Sequence, residues 1–297
     1  MIKNLRFYAV HSAWPESEGE VSSQLENAAF KPCGALNERS MGFETPVENA
    51  GDLLCRRLAG ADLIQLRLQS KVLPLAAVKE SLVERVGAFL QRTGRDPSRK
   101  EKRQLREEVY GELLPKALLK SERISAFFIR SQGVLAVGSA SPVNAERLLD
   151  TLRAAFGSLR VTPLEYKQPA HGLLTRVFLG DGPREFALGR ECRMKDSSDS
   201  RSTVSWLDID LADRSVRAHV KTGLEIDRLG VAFDGLLRCT LDQDLVLRKL
   251  RLEGLQELDE FDVEDPLVRH DAEFTLLCGL TTKLLEALKK NLGGVVS

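Results

Sequence analysis

The sequence predicts an α+β fold, and three observations carry that prediction. The run LIQLRLQ sets Ile64, Leu66 and Leu68 on one side of an extended strand and Gln65 and Arg67 on the other, the period of two that a half-buried sheet requires. From Pro74 to about Glu122 the apolar residues recur at helical spacing instead. After about Gln168 short strand-like runs return and read as an antiparallel meander. Mixed or antiparallel sheets with a protruding helical arm are therefore expected.

Taken in order, Met1 to about Leu73 alternates short apolar runs with turns and reads as a small α/β layer, with Ser22 to Phe30 as a helix stopped by KPCG. Pro74 can start the next helix, where a missing N–H costs nothing. Leu75, Val78, Leu82, Val83, Val86, Phe89 and Leu90 form its apolar face, and Gly94 is its stop. Asp96 then caps a second helix with Pro97 as its first residue, and Pro115 kinks or ends it near Leu114. RISAFFIRSQGVLAVGSA predicts a hairpin turning near Gln132-Gly133, and PVNAERLLDTLRAAFG a helix ending at Gly157. In WLDIDLADRSVRAHVK, Leu207, Ile209 and Leu211 alternate with acids, and Val216, Ala218 and Val220 with Arg217, His219 and Lys221, which reads as an antiparallel hairpin. LGVAF, GLLRCTL and LVLRKLRL extend the meander, Asp265-Pro266 opens a short helical turn, and LTTKLLEALKKNLGG is a terminal helix stopped by Gly293.

The chemistry this chain can do is narrowed by what it lacks. The apolar run Phe7 to Val10 is shorter than the roughly 7 to 15 residues of a signal peptide, and no segment approaches the roughly 20 apolar residues of a membrane span. The five cysteines, Cys33, Cys55, Cys192, Cys239 and Cys278, are scattered and never spaced CxxC, so they read as buried thiols of a reducing cytoplasm. The four histidines lack metal-ligand spacing, GDGPREFALG matches no nucleotide-binding loop, and no G-x-S-x-G occurs. No cofactor or metal is expected. The acid cluster Glu257, Asp259, Glu260, Asp262, Glu264 and Asp265 leaves a metal-dependent nuclease as an alternative, since two or three converging carboxylates could hold Mg²⁺ against phosphate. Its plainer reading is a solvated acidic loop before a helix start.

Charge supplies the positive signal. The whole chain balances 43 Lys+Arg against 43 Asp+Glu, yet Arg92, Arg95, Arg99, Lys100, Lys102, Arg103 and Arg106 crowd one stretch with only Asp96 and Glu101 among them. On a helix, Arg99, Lys102, Arg103 and Arg106 share one face while Glu101, Glu108 and Glu112 lie opposite. Such a stripe can track phosphates; a solvated helix face is the plainer alternative. Beyond Pro115, Leu118 and Leu119 stand between Lys116 and Lys120, an apolar tip suited to a partner interface. Nothing specifies bases, so phosphate contact without sequence readout is the expected mode. A protein-interaction scaffold is the other open reading.

Several stretches, in order, resemble the RdgC family of recombination-associated proteins: FKPCG with MGF, VLP followed by VK, LLPKA, GSLRVTPL, and DAEF with the terminal LGG. That resemblance implies a non-enzymatic, cytoplasmic, nucleoid-associated protein that binds double-stranded DNA without sequence specificity, with single-stranded DNA a second candidate, and restrains loading of the RecA recombinase. It implies a horseshoe-shaped protomer with a central region (1–73 and 123–168), a helical tip (74–122) and a base (169–297), pairing into a ring-shaped homodimer with a basic hole. Lys116, Leu118, Leu119 and Lys120 would then lie at the tip interface, Leu118 where relatives can carry an aromatic. Arg193 and Lys195 of RMK resemble a basic segment used near DNA, although Asp196 stands where relatives can carry a further cation.

Overall fold

Caps and turns set most element boundaries in the computed structural model, which describes residues 2–48, 51–196, 201–221, 223–254 and 265–296. The first part of the chain forms β1 (Arg6–Val10), α1 (Glu18–Leu25), β2 (Arg39–Glu44), β3 (Cys55–Leu58), β4 (Ala61–Val72), α2 (Leu75–Thr93), α3 (Arg99–Leu113), β5 (Leu118–Ile129), β6 (Val134–Val137), α4 (Pro142–Phe156) and β7 (Val161–Pro163). It continues with α5 (Ala170–Leu179), β8 (Phe186–Asp196), β9 (Thr203–Trp206), α6 (Arg214–Lys221), β10 (Leu224–Phe233), β11 (Leu237–Asp242), β12 (Leu247–Leu252) and α7 (Pro266–Leu292). One sheet runs β2-β4-β5-β6-β1-β7 with β3 also on β4, and the other runs β12-β11-β10-β8-β9. Antiparallel pairing and segregated helices make this the α+β class expected.

The chain divides into two compact units, one of residues 1–28, 45–65 and 124–297, the other of residues 29–44 and 66–123. In the first unit Leu5 and Leu247 exchange backbone hydrogen bonds of 2.9 Å each, which joins the two sheets. Between them a continuous core gathers Phe127, Phe178, Leu229, Leu241 and Phe274, with Phe127 edge-on to Phe274 at 5.5 Å. Each such side chain contributes roughly 1.5–3 kcal/mol by leaving water. The fully buried carboxylate of Asp62 is matched by several donors. Trp14 Nε1 donates to it at 2.8 Å, Arg57 Nε at 2.6 Å and Arg130 Nη1 at 3.3 Å.

In the second unit α2 packs on α3, and Arg85 pairs with Glu112 across them. The FKPCG and MGF segments meet here: Phe30 N–H donates to Phe43 C=O at 2.8 Å. A Cβ on Gly42 would lie 2.5 Å from the Phe30 backbone, so only glycine lets the strand come this close. Arg67 covers the Phe30 ring at 4.6 Å.

Gly94, Gly157, Gly180 and Gly293 terminate helices at positive φ, and the hairpin turns at Gly133 (φ 63°). Other boundaries differ from the expectations. Helix α1 begins earlier than Ser22 because Ser17 and Glu20 form a reciprocal capping box. Leu75 and Arg99 open α2 and α3, with Pro74 and Ser98 at the caps. The expected hairpin over Leu207 to Lys221 is not formed. Asp208 turns into the left-handed region (φ 54°), Asp213 Oδ1 accepts from Ser215 N–H at 2.7 Å, and α6 follows. Val216 and Val220 fit a helix as well as a strand, because they are four residues apart. Helix α5 was not expected; Leu173, Leu174, Val177 and Phe178 bury its face. The short turn after Asp265 and the terminal helix are one 27-residue helix, α7.

Candidate nucleic-acid interface

The cations of the second unit gather where α2 ends and α3 begins. Gly94 N–H closes α2 on Leu90 C=O at 2.8 Å, and the guanidinium groups of Arg92 and Arg95 lie 5.9 and 5.6 Å from the Phe89 ring centroid. Ser98 then caps α3. Its Oγ accepts from Glu101 N–H at 3.3 Å and its own N–H donates to Glu101 Oε2 at 2.9 Å. Arg95 grips the same carboxylate with two bonds, at 2.7 and 2.9 Å. Arg95 first, and Ser98 after it, hold Glu101 down to about 2.

This geometry sorts the seven cations. Arg95 is committed to Glu101, and Arg103 to Glu107 one turn on at 3.1 Å. Arg92, Arg99, Lys100, Lys102 and Arg106 are exposed and have no carboxylate partner among the described residues. Val109 is the buried anchor of α3, so packing holds the helix near its C-terminal half and its first turns reach solvent.

Pro115 ends α3 as expected: Leu114–Lys116 form a 3-10 turn in which Ala117 N–H donates to Leu114 C=O at 3.2 Å. Leu118, Leu119 and Lys120 then open β5 and are strand residues, with Leu118 78% and Leu119 52% exposed. Lys116 and Lys120 are exposed on either side.

In the first unit Arg193 and Lys195 lie within β8, not in a loop. Cys192 and Met194 turn into the core, so Arg193 and Lys195 turn the other way. Arg193 pairs with Asp227, and Lys195 Nζ donates to Gln243 at 2.7 Å. Opposite Arg193 in the next strand stands Arg228, and Arg248 of β12 pairs with Asp242 at 3.2 Å. Burial, then the charges of Arg193 and Arg248, push the Arg228 guanidinium below its ordinary value. A bulge between β8 and β10 shapes this face. A Cβ on Gly189 would lie 2.7 Å from the Gly230 backbone.

Among the described residues, no group of three or more His, Cys, Asp or Glu is placed to hold a metal ion. Glu257, Asp259, Glu260, Asp262 and Glu264 lie outside the described residues. No described helix is long and apolar enough to cross a membrane.

The whole-chain comparison is decisive for ancestry. A family model described as "Putative exonuclease, RdgC" matches residues 1–295. The chain belongs to the RdgC family. Relatives named "Recombination-associated protein RdgC" include that of Shewanella oneidensis, 31% identical over 296 residues and covering 99% of this chain and 97% of the relative. The protein of Shewanella sp. strain ANA-3 is 32% identical over 297 residues, covering 99% and 97%, and that of Shewanella loihica 31% over 296, covering 99% and 98%.

For this RdgC-family chain, sequence reasoning found the cations of α3 but missed Arg228 and Arg248. Each stands beside a second charged residue in its own strand, Asp227 and Lys249, so the sequence alone assigns it to no face. Only the register of β8, β10, β11 and β12 collects them on one face.

Proposed function

We propose that this chain is a non-enzymatic DNA-binding protein that holds duplex DNA through its phosphates, without sequence readout, and so modulates recombination. The observation that carries the reading is the set of five exposed cations around the start of α3 with no carboxylate partner among the described residues. Free guanidinium and ammonium groups release counterions from DNA when they meet phosphates, which makes affinity steeply salt-dependent. Arg193 and Lys195 add a second cationic contact. Lys116, Leu118, Leu119 and Lys120 close a homodimeric ring, and the exposure of both leucines supports an apolar contact between copies. DNA enclosed in such a ring is obstructed for RecA filament assembly, a role that suits a cytoplasmic, nucleoid-associated protein. Single-stranded DNA is the secondary ligand.

The test combines mass in solution with binding to linear and closed-circular DNA across a salt series. A dimer that falls off linear DNA ends but persists on circles, with affinity dropping steeply as salt rises, is the expected result. Affinity independent of salt would sink the phosphate mechanism. The family description also favours one rival, an exonuclease. Incubation of linear DNA with Mg²⁺ or Mn²⁺ decides it: shortening that Asp259→Ala abolishes would overturn the non-enzymatic reading.

A further inference from the structure

We propose that the cleft on the outer face of the β12-β11-β10-β8-β9 sheet, floored by Arg228 and walled by Leu207, is a binding site for one phosphate group. The cleft has a volume of about 120 Å³ and is lined by Arg193, Arg228, Arg248, Lys249, Trp206 and Leu207, among others. A water needs about 10–15 Å³ of such space, so the cleft has room for an anion of a few heavy atoms.

Charge pairing around the cleft leaves one cation over. Arg193 takes Asp227, Arg248 takes Asp242, and Lys249 takes Glu191, which Thr240 also contacts. Among the described residues the ion-pair partner of Arg228 is the Asp227 carboxylate, 4.0 Å from its Nε and already held by Arg193. The Nε atom is buried and has no hydrogen-bond partner among the described residues. A half-buried guanidinium with an unused donor is costly, and a tetrahedral anion accepting from its planar fork is the ligand that geometry suits. Leu207, exposed at the rim, offers an apolar wall for whatever the phosphate is attached to. The site lies in the first unit and does not depend on the α3 stripe, so it stands or falls separately from that contact.

The experiment titrates the full-length protein with inorganic phosphate, thymidine monophosphate and a short single-stranded oligonucleotide, against chloride at matched ionic strength. The readout is the heat of binding in isothermal titration calorimetry, with the Arg228 variants to assign it to the cleft. The expected result is saturable phosphate binding by the parent protein. Affinity falls about ten- to a hundred-fold in Arg228→Gln, the loss of a hydrogen bond to a charged group, and partly recovers in Arg228→Lys. Oligonucleotide binding that displaces phosphate identifies a nucleic-acid backbone as the source; phosphate binding that the oligonucleotide leaves intact identifies a free phosphate or nucleotide. If none of the three ligands gives a response that depends on Arg228 in variants with native circular dichroism, the site does not exist.

Discussion

Replacing Arg99, Lys102 and Arg106 together with glutamine removes three of the five exposed cations that lack a carboxylate. Glutamine matches arginine and lysine closely in helix propensity, and none of the three is buried, so α3 and its Ser98 cap persist. Each phosphate contact contributes about 0.9 to the salt slope on duplex DNA. Counting only the cations around the start of α3 in one protomer, five contacts contribute a slope of about −4.5, a loss of about 500-fold in affinity between about 50 and about 200 mM salt. The triple variant retains two, a slope of about −1.8 and a loss of about 12-fold. Fluorescence anisotropy on a labelled duplex across that range measures both slopes, and circular dichroism confirms the helix. Arg103→Gln alone, which breaks only an existing pair with Glu107, changes the slope by less than any one of the three. A triple variant whose slope stays within about one contact of the parent, about 0.9, refutes the α3 stripe as the phosphate-facing surface.

Asp62→Asn takes the charge from a fully buried carboxylate facing Arg57 and Arg130; breaking such a pair costs about 3–5 kcal/mol, to be read from urea unfolding, and a loss below about 1 kcal/mol would contradict its structural role. Glu101 is depressed to about 2 by Arg95 and Ser98. A depressed carboxylate stabilises the fold above its unfolded value and loses that effect as pH falls toward the folded one, so the α3 cap holds at pH 5 and weakens from about pH 4 to about pH 2. A carboxyl carbon titration of Glu101 with its midpoint near 4 would show that the Arg95 grip is absent in solution. Burial pushes the Cys192 and Cys239 thiols up to about 12 and raises Cys55 and Cys278, whereas Cys33 is only partly buried. Thiol labelling of the native protein at pH 8 therefore proceeds in one fast equivalent at Cys33, with the other four reacting only on unfolding; two fast equivalents would disprove the packing.

Helix ends were legible where one residue type has one conformational use. Gly94, Gly157 and Gly293 stop helices because they occupy positive φ, and Asp265-Pro266 starts one because the side chain caps it. The DRSVRAHV segment was misread because the same valines satisfy periods of two and four, and the deciding turn at Asp208 and Asp213 is a local hydrogen-bond competition that periodicity does not register. The α3 cations were legible as a group, since a helix converts spacing directly into a face. Which of them are free was not, because Arg95 and Arg103 carry the same charge as their neighbours and differ only in the carboxylate each reaches. Arg228 was invisible for a related reason: its neighbours across the sheet are 35 residues before it (Arg193) and 20 after it (Arg248), and register, not sequence distance, brings them together.

The pair of hydrogen bonds between Leu5 and Leu247 also orders events in time. Strand β1 is among the first segments to leave the ribosome, yet its partners are β6, β7 and finally Leu247. At about 5–20 residues per second of synthesis, Leu5 waits roughly 12 to 50 seconds for its last partner to be made. During that interval Leu5 and Phe7, which share one face of the strand and are buried in the finished protein, lack the part of their cover that the second sheet supplies. The first unit is thus completed only near the end of translation.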